Sequence, residues 1–296
     1  ITTPYFWNLA PNYDLTFSPT FLTRQGLLMQ TEWRHRLMNG SYTIRLAGVF
    51  QADGDAFQTG GVAYSGYNET LRGSARTTGS FAINERWAYG WDLHGASDRM
   101  FNRDYLIPDA LAADLTSTAY LTGRSERNFF DMRGYHFLVQ RENTQEIDSQ
   151  GFVQLHDDQA EQAVVHPVVD HNYILDDPFF GGEVRFDSNF TSLSRDESDV
   201  RHPPAPFPEF YAGVSGQQTR ASSRASWQRR FIVPGGQLLT PFGYMQADAS
   251  YISPDEPNEW LGSPDLVPRA MPAGGLEYDW PILATLRRTV HTFGPR

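Results

Sequence analysis

Two short groups of histidine and aspartate are the residues of this 296-residue chain whose types and spacing could do chemistry. His166, Asp170 and His171 lie close together, and imidazole and carboxylate groups bind metals or transfer protons. In a strand, His166 and Asp170 would share a face and His171 would point away. That arrangement leaves too few converging ligands for a metal ion, so we predict no metal site and no cofactor.

The second group is His156, Asp157 and Asp158, in a stretch that we expect to be a long polar loop. A hydrolase would need a nucleophile beside a histidine that an acidic residue orients. The G-x-S-x-G pattern around a serine nucleophile does not occur in the sequence. We predict that these three side chains are solvated loop charges and that the protein is not an enzyme.

Charged residues at strand positions form a larger and more informative set. A charged side chain that faced lipid would lower the stability of the protein by several kcal/mol, about 2–4 kcal/mol for an arginine at the bilayer midplane. If the strands cross a membrane, these side chains must face a water-filled lumen and pair there. On a soluble sandwich they would be a solvated outer face. The predicted lumen-facing residues are Asp14, Glu32, Arg34, Arg45, Asp92, Asp131, Arg133, Arg185, Asp187 and Glu277.

The elements that carry these charges have the pattern of amphipathic strands. In RWAYGWDLHGAS, residues 86–97, Trp87, Tyr89, Trp91 and Leu93 alternate with small or polar residues. A period of two with aromatic side chains on one face is typical of a barrel strand between lipid and a polar lumen. Similar segments lie near 13–21, 26–36, 41–51, 71–83, 115–124, 128–141, 162–175, 181–195, 212–233, 238–253 and 270–282.

The connections between these segments alternate in length. Short turns at one end of a sheet and long loops at the other are typical of an outer-membrane barrel. We therefore predict an all-β, antiparallel transmembrane β-barrel that is incomplete, with about 12–14 strands of a larger barrel. The short turns lie near 38–40, 84–86, 124–127, 176–182 and 234–236, and the long loops near 52–70, 99–114, 143–161, 197–211 and 254–268.

The composition excludes several classes of protein. The net charge of −11 argues against nucleic-acid binding, since a basic surface is the usual requirement. The absence of cysteine excludes disulfides and thiolate chemistry within this sequence. No apolar run approaches the length of about 18 residues that a transmembrane helix needs, whereas barrel strands alternate and form no such run.

A specific motif occupies the first 37 residues. Residues 4–14 read PYFWNLAPNYD, and they are followed by Ser18-Pro19 and Glu32-Trp33-Arg34. This run resembles the start of the barrel domain in the LptD family of LPS-assembly proteins. The resemblance covers nearly the whole chain and is strongest at residues 3–50. Residues 83–93, 240–248 and 271–281 are also similar to the alphaproteobacterial members of that family.

The resemblance implies an outer-membrane function in a Gram-negative bacterium. A family barrel receives lipopolysaccharide from a periplasmic LptA-like bridge through an N-terminal jellyroll, and an LptE-like lipoprotein plugs its lumen. It passes the lipid into the outer leaflet through a lateral seam between its first and last strands. Residues 1–296 would then be a partial barrel domain, with the family's jellyroll and C-terminal strands absent.

The resemblance also implies a role for two prolines. Pro4 and Pro19 match family positions in the first strands, where proline weakens pairing at the closing seam. This agrees with the loss of a ladder donor at each proline. The alternative interpretation is that both prolines merely begin or bend strands.

Three interpretations stay open at the level of the sequence. The first is the lipopolysaccharide translocon, and the second is another outer-membrane barrel, either a passive porin or a barrel hydrolase. The third is a soluble β-sandwich that binds a partner. The position of the long loops also stays open. They would be periplasmic if Pro11-Asn12 is a turn, and extracellular if Thr3 to Phe21 is one strand.

Overall fold

The protein is almost entirely antiparallel β-sheet. The computed structural model describes residues 1–57, 67–141, 144–147, 153–156, 158–201, 210–255, 265–286 and 289–293. The predicted all-β, antiparallel class is confirmed, and fourteen strands join one sheet, in agreement with the predicted strand number. Among the described residues we find no helix with the length and apolar character needed to cross a membrane.

The strands follow one another along the chain with two short helical segments between them. These are a 3-10 turn at Gly54–Phe57 and helix α1 at Phe101–Asp104. The strands are β1 (Tyr5–Ala10), β2 (Tyr13–Leu22), β3 (Gly26–Leu37), β4 (Gly40–Phe50), β5 (Leu71–Ala82), β6 (Trp87–Ala96), β7 (Asp114–Arg124), β8 (Asn128–Val139), β9 (Thr144–Ile147), β10 (Val153–His156), β11 (Ala163–Ile174), β12 (Glu183–Arg195), β13 (Asp199–Arg201), β14 (Phe210–Gly213), β15 (Gly216–Gln228), β16 (Phe231–Val233), β17 (Gln237–Pro254), β18 (Asp265–Asp279), β19 (Ile282–Leu286) and β20 (Thr289–Phe293).

The main sheet is a meander in which sequential strands pair. From β1 to β8 each strand pairs with the next one in the chain. The sheet then continues from β8 through β11, β12 and β15 to β17, and β17 also pairs with β16 and β18. Three separate two-stranded ribbons, β9–β10, β13–β14 and β19–β20, lie outside this sheet. Within the described ranges no pairing joins β1 to β18, so the sheet is open at both edges.

The first hairpin shows that residues 3–21 form two strands and not one. Pro11 and Asn12 form a turn, and β1 pairs with β2 with Tyr5 opposite Phe17. The long connections therefore lie at the end of the sheet that holds Ile1. The segment at 212–233 also differs from the single strand predicted there. It divides into β14, β15 and β16. Gly216, the first residue of β15, has a φ of 107°, a backbone conformation that residues with a side chain rarely adopt.

The two faces of the sheet differ in the way that the alternation predicts. Trp87, Tyr89, Trp91 and Leu93 share one face, where Phe81 stacks on Tyr89 and Trp91 with ring centroids 5.4 and 5.6 Å apart. This apolar face is partly exposed even for large side chains, since Leu46 is 51% and Leu93 41% exposed. Because water would penalise so much exposed apolar area, the face is suited to an apolar surrounding.

Gly79 gives a testable detail of this face. A Cβ atom on Gly79 would collide with the indole ring of Trp91, because three ring carbons would lie within 3.0 Å of it. We expect Gly79→Ala to displace the ring and to lower the free energy of unfolding by about 1–3 kcal/mol. The measurement is urea unfolding followed by tryptophan fluorescence. Gly95→Ala is the matched control, because no atom lies within 4 Å of its added Cβ. Equal midpoints for the two variants would contradict the packing.

Candidate functional site

The charged side chains of the main sheet share the face opposite to the aromatic residues. Cross-strand partners in a ladder lie on one face, so the register assigns each position to a side. Asp14 lies opposite Arg34, Glu32 opposite Arg45, and Asp131 opposite Asp170. Followed from strand to strand, the register places on this face all ten charged residues predicted from the sequence, Asp14, Glu32, Arg34, Arg45, Asp92, Asp131, Arg133, Arg185, Asp187 and Glu277.

The first strands carry a continuous chain of ion pairs. Arg34 Nε lies 2.9 Å from Asp14 Oδ1 and 3.6 Å from Glu32 Oε1. Arg45 Nε lies 3.0 Å from Glu32 Oε2, and its Nη1 lies 2.7 Å from Asp109 Oδ2. These side chains are partly exposed, so each pair contributes little to stability, typically about 0–1 kcal/mol. Their main effect is to make this face of the sheet polar with nearly balanced charge.

Further pairs extend the polar face across the sheet. Arg76 donates to both carboxylate oxygens of Asp92, at 3.0 and 2.8 Å, and the His94 ring lies 3.2 Å from the same carboxylate. Arg133 Nε lies 2.7 Å from Asp131 Oδ2. The bidentate geometry at Asp92 fixes the orientation of the Arg76 guanidinium as well as its position.

A loop closes over one end of the polar face. We call residues 97–113, between β6 and β7, the capping loop. Arg72, at the start of β5, anchors this loop from a fully buried position. Its Nη2 lies 2.8 Å from Asp98 Oδ1 and 2.7 Å from Asp104 Oδ2, and its Nε donates to Asp98 Oδ2 at 2.8 Å. A buried cation with two carboxylates is tolerated because its charge is paired and hydrogen-bonded.

Aromatic rings complete the surroundings of Arg72. The guanidinium carbon lies 5.2, 5.8 and 5.4 Å from the ring centroids of Phe57, Phe101 and Tyr105. The Tyr105 hydroxyl donates to Gln51 Oε1 at 2.9 Å. Burial raises the pKa of the Tyr105 phenol above its ordinary value, an effect that the nearby Arg72 cation opposes. The phenol is therefore neutral near pH 7 and keeps its proton for the bond to Gln51.

A second buried side chain holds the other part of the capping loop. Gln140 is fully buried, and its Nε2 donates to the carbonyl oxygens of Ala110 and Ala112 at 2.7 Å each. Its Oε1 accepts from Asn102 Nδ2 at 2.9 Å, and its carbonyl oxygen accepts from Arg103 Nη1 at 2.8 Å. The capping loop is thus fixed at both ends by buried polar side chains, Arg72 at the start of β5 and Gln140 directly after the end of β8.

The tip of the capping loop crosses the polar face. Asp109 binds Arg45 through its carboxylate, and its carbonyl oxygen accepts from Arg76 Nη1 at 3.4 Å. Leu106 and Asp109 have φ values of 51° and 60°, a conformation that costs a non-glycine residue about 1–2 kcal/mol. Strain of this kind persists only where surrounding contacts determine the backbone, as Arg72 and Gln140 do here.

The histidine and aspartate side chains of β11 do not converge on one point. Among the described residues, no group of three or more His, Cys, Asp or Glu side chains is placed to hold a metal ion. The prediction that His166 and Asp170 share a face is wrong. A bulge between Val165 and Val168 breaks the alternation, so His166 Nε2 bonds Ser194 Oγ at 2.7 Å on the face opposite to Asp170. His171 instead bonds Asn128 Oδ1 at 3.0 Å. Asp157 lies outside the described residues, so the interpretation of that loop stays a prediction.

The two prolines lie at the first edge of the sheet. Thr3 N donates to Pro19 O at 3.1 Å, and Ile1 and Phe21 exchange backbone bonds. Along a strand, the backbone N–H and C=O groups of successive residues point in turn toward one neighbouring strand and away from it. Those of Thr3 therefore point toward β2, and those of Pro4 point toward the open edge of the sheet. Proline has no N–H, so Pro19 leaves the bond to Thr3 O unmade and Pro4 removes one donor from the open edge.

An antiparallel sheet with one apolar and one charged face, short turns at one end and long loops at the other is the wall of an outer-membrane type of β-barrel. The family model of LptD, LPS transport system D, matches residues 70–296. The chain therefore belongs to the LptD family. The family is a β-barrel, and this sheet is a part of such a barrel that is not closed.

Curated relatives agree with this assignment. The chain is 27% identical over 204 residues to the LPS-assembly protein LptD of Shewanella sp. (strain MR-4), and 28% identical over 207 residues to that of Shewanella oneidensis. Each match covers 68% of this chain and 23% of the relative. The LptD of Yersinia pestis bv. Antiqua is 33% identical over 118 residues, which are 38% of this chain and 13% of the relative. The chain thus matches about a quarter or less of these relatives.

Proposed function

We propose that this chain is part of an outer-membrane translocon that assembles lipopolysaccharide into the outer leaflet of a Gram-negative bacterium. The observation that carries the proposal is the division of the sheet into a charged face and an apolar face, in a chain of the LptD family. The charged face is proposed to line the lumen, where the polar saccharide passes. The apolar face then meets the acyl chains of the membrane.

The proposed activity is transport without catalysis. An LptE-like lipoprotein would plug the lumen, and an LptA-like bridge would deliver lipopolysaccharide from the periplasm through a jellyroll domain. We propose no metal, cofactor or nucleotide site. The free energy for transport would come from elsewhere in the assembly. Residues 1–296 are then one part of the barrel domain of a larger protein.

The test of this function is a pull-down of the full-length parent protein from detergent-solubilised outer membranes. Recovery of bound lipopolysaccharide with a small lipoprotein is the expected result. A barrel recovered without either would favour a passive porin or a barrel hydrolase. Planar-bilayer conductance without a lipoprotein, or hydrolysis that His166→Ala or His171→Ala abolishes, would then separate these two alternatives. Recovery in the soluble fraction would contradict the membrane function itself.

Pro4 and Pro19 are proposed to form a lateral gate at the seam of the complete barrel. Their geometry supports this role, because Pro4 removes a donor at the open edge and Pro19 weakens the β1–β2 ladder. A seam with fewer hydrogen bonds opens more readily, and each backbone bond contributes about 0.5–1.5 kcal/mol.

Replacing both prolines by alanine should slow the export of lipopolysaccharide by the full-length protein. The bond restored at Pro4 would lower the open population of the seam about three- to tenfold, given the contribution of one hydrogen bond. The bond restored at Pro19 would hold β1, the seam strand, more firmly to β2. The measurement is the rate at which lipopolysaccharide reaches the surface of proteoliposomes that hold the assembled complex. Pro241→Ala, in the interior strand β17, is the control that should leave the rate unchanged. An unchanged rate in the double variant would contradict the gate.

A further inference from the structure

A cavity of about 240 Å³, with both polar and apolar groups in its wall, lies between the strands β2–β6 and the tip of the capping loop. Its wall combines the charged face of the sheet with Asn102, Ile107 and Pro108 of the loop. Four charged side chains line it, and they are balanced, since Arg45 and Arg76 face Glu32 and Asp109. All four take part in the ion pairs already described, so the cavity has no excess charge of either sign to attract an ion.

Asn102 lines this cavity and carries a buried acceptor that has no partner. The residue is only 3% exposed, and its Nδ2 donates to Gln140. Its Oδ1 is buried and has no hydrogen-bond partner. A buried polar atom without a partner costs about 1–3 kcal/mol, so such atoms are rare unless a ligand or an ordered water completes them. What Asn102 lacks is a donor, such as the hydroxyl of a ligand.

Other groups in the cavity wall are also free to bind. In the part of the chain that the structure describes, the side chains of Ser18, Gln30 and Ser74 make no hydrogen bond, and all three line the cavity. Hydroxyl and amide groups both donate and accept, so they match a ligand that carries several hydroxyls. Ile107 and Pro108 add an apolar patch of the kind that packs against the C–H groups of a sugar ring.

We propose that this cavity is a binding subsite for a neutral polyhydroxyl group, of the size of one sugar ring. The balanced charge disfavours a phosphate or carboxylate, and the free hydroxyl and amide groups with Asn102 Oδ1 favour a ring of hydroxyls. The volume lies below the range of about 300–1,000 Å³ for drug-sized ligands, so a single ring is the suitable unit. The inference rests on the proposed function, because it assigns one sugar of the passing saccharide to a defined place.

The test is saturation-transfer NMR of methyl α-glucoside with the full-length protein in a detergent that contains no sugar. We expect a transfer signal that Asn102→Leu and Gln30→Met each weaken, with apparent affinity reduced about three- to tenfold for the loss of one hydrogen bond. Gln246→Met is the matched control, because Gln246 lies on the same face in the distant strand β17. Gln30→Met also leaves the packing of the capping loop intact. If Asn102→Leu fails to fold, Gln30→Met therefore still tests whether the cavity binds the glucoside.

Three results would overturn the subsite. They are the absence of a transfer signal in the unmodified protein, equal signals in Gln30→Met and Gln246→Met, and displacement of the glucoside by inorganic phosphate, which would indicate an anion site. The pull-down tests the proposed function separately. Recovery of lipopolysaccharide together with the absence of a glucoside signal would contradict the subsite and leave the proposed function supported. A glucoside signal in a protein that recovers no lipopolysaccharide would contradict the translocon function and would still support a sugar-binding cavity.

Discussion

Replacing Arg72 with methionine should lower the free energy of unfolding of the full-length barrel by about 3–5 kcal/mol, the cost of breaking a buried ion pair from one side. The carboxylates of Asp98 and Asp104 would then lose the cation that pairs with both of them, in a region from which water is largely excluded. Methionine keeps much of the length and apolar character of the arginine side chain. The loss would therefore come mainly from charge and hydrogen bonding, not from a cavity.

The same variant should release the capping loop. Arg99 and Arg103 lie in this loop, and trypsin cleaves after arginine wherever the backbone can open. We expect cleavage at these two positions to become faster in Arg72→Met than in the unmodified protein, and the urea midpoint to fall. Both measurements are made on the refolded full-length protein, in which the sheet has its neighbouring strands.

Arg34→Met is the matched control for this prediction. Arg34 also pairs with an aspartate, Asp14, but its side chain is 50% exposed. A solvated pair of this kind contributes at most about 1 kcal/mol, so the midpoint should hardly move and the tryptic pattern should not change. If both variants lost the same stability, the buried position of Arg72 would have no special role in holding the loop.

An arginine introduced at Ala221 should destabilise the barrel by about 2–4 kcal/mol, the cost of a lipid-facing arginine near the bilayer midplane. Ala221 lies in the middle of β15, opposite Phe190 of β12 and Ala249 of β17, on the apolar face. The measurement is the unfolding free energy of the full-length protein in lipid bilayers, with urea as the denaturant.

The neighbouring position provides the control. Ser222 lies on the charged face, opposite Asn189 and Asp248, so an arginine there has a carboxylate partner across the ladder. We expect Ser222→Arg to change stability by less than about 1 kcal/mol. Both substitutions introduce an arginine, at adjacent positions of β15 that lie on opposite faces of the sheet. A larger cost at Ser222 than at Ala221 would reverse the proposed assignment of lumen and lipid.

Much of the sheet and its polar face followed from local patterns. The alternation in 86–97 predicted a strand with two unlike faces, and β6 has that structure. The charges at Glu32 and Arg45 were predicted to share a face, and they lie opposite each other in the ladder. Both results depend on a period of two, which is a property of the extended backbone and requires no knowledge of the remaining chain.

The local pattern failed where the backbone departs from that period. The bulge at residues 165–168 moved His166 to the face opposite to Asp170, because one extra residue inverts every later position. The hairpin of β1 and β2 was left open for a related reason. Residues 3–21 alternate well enough to be one strand, and only the turn at Pro11-Asn12 shows that they are two.

The sequence by itself determined the all-β class, the approximate strands, the two unlike faces and the resemblance to a family, because each depends on neighbouring residues or on a contiguous motif. The tertiary structure decided the capping loop, the burial of Arg72 and the cavity beside Asn102. Arg72 meets Asp98 and Asp104 across 26 and 32 positions of sequence, and Gln140 meets Asn102 across 38. No local spacing encodes these contacts, since they arise when strand pairing brings separate loops to one end of the sheet.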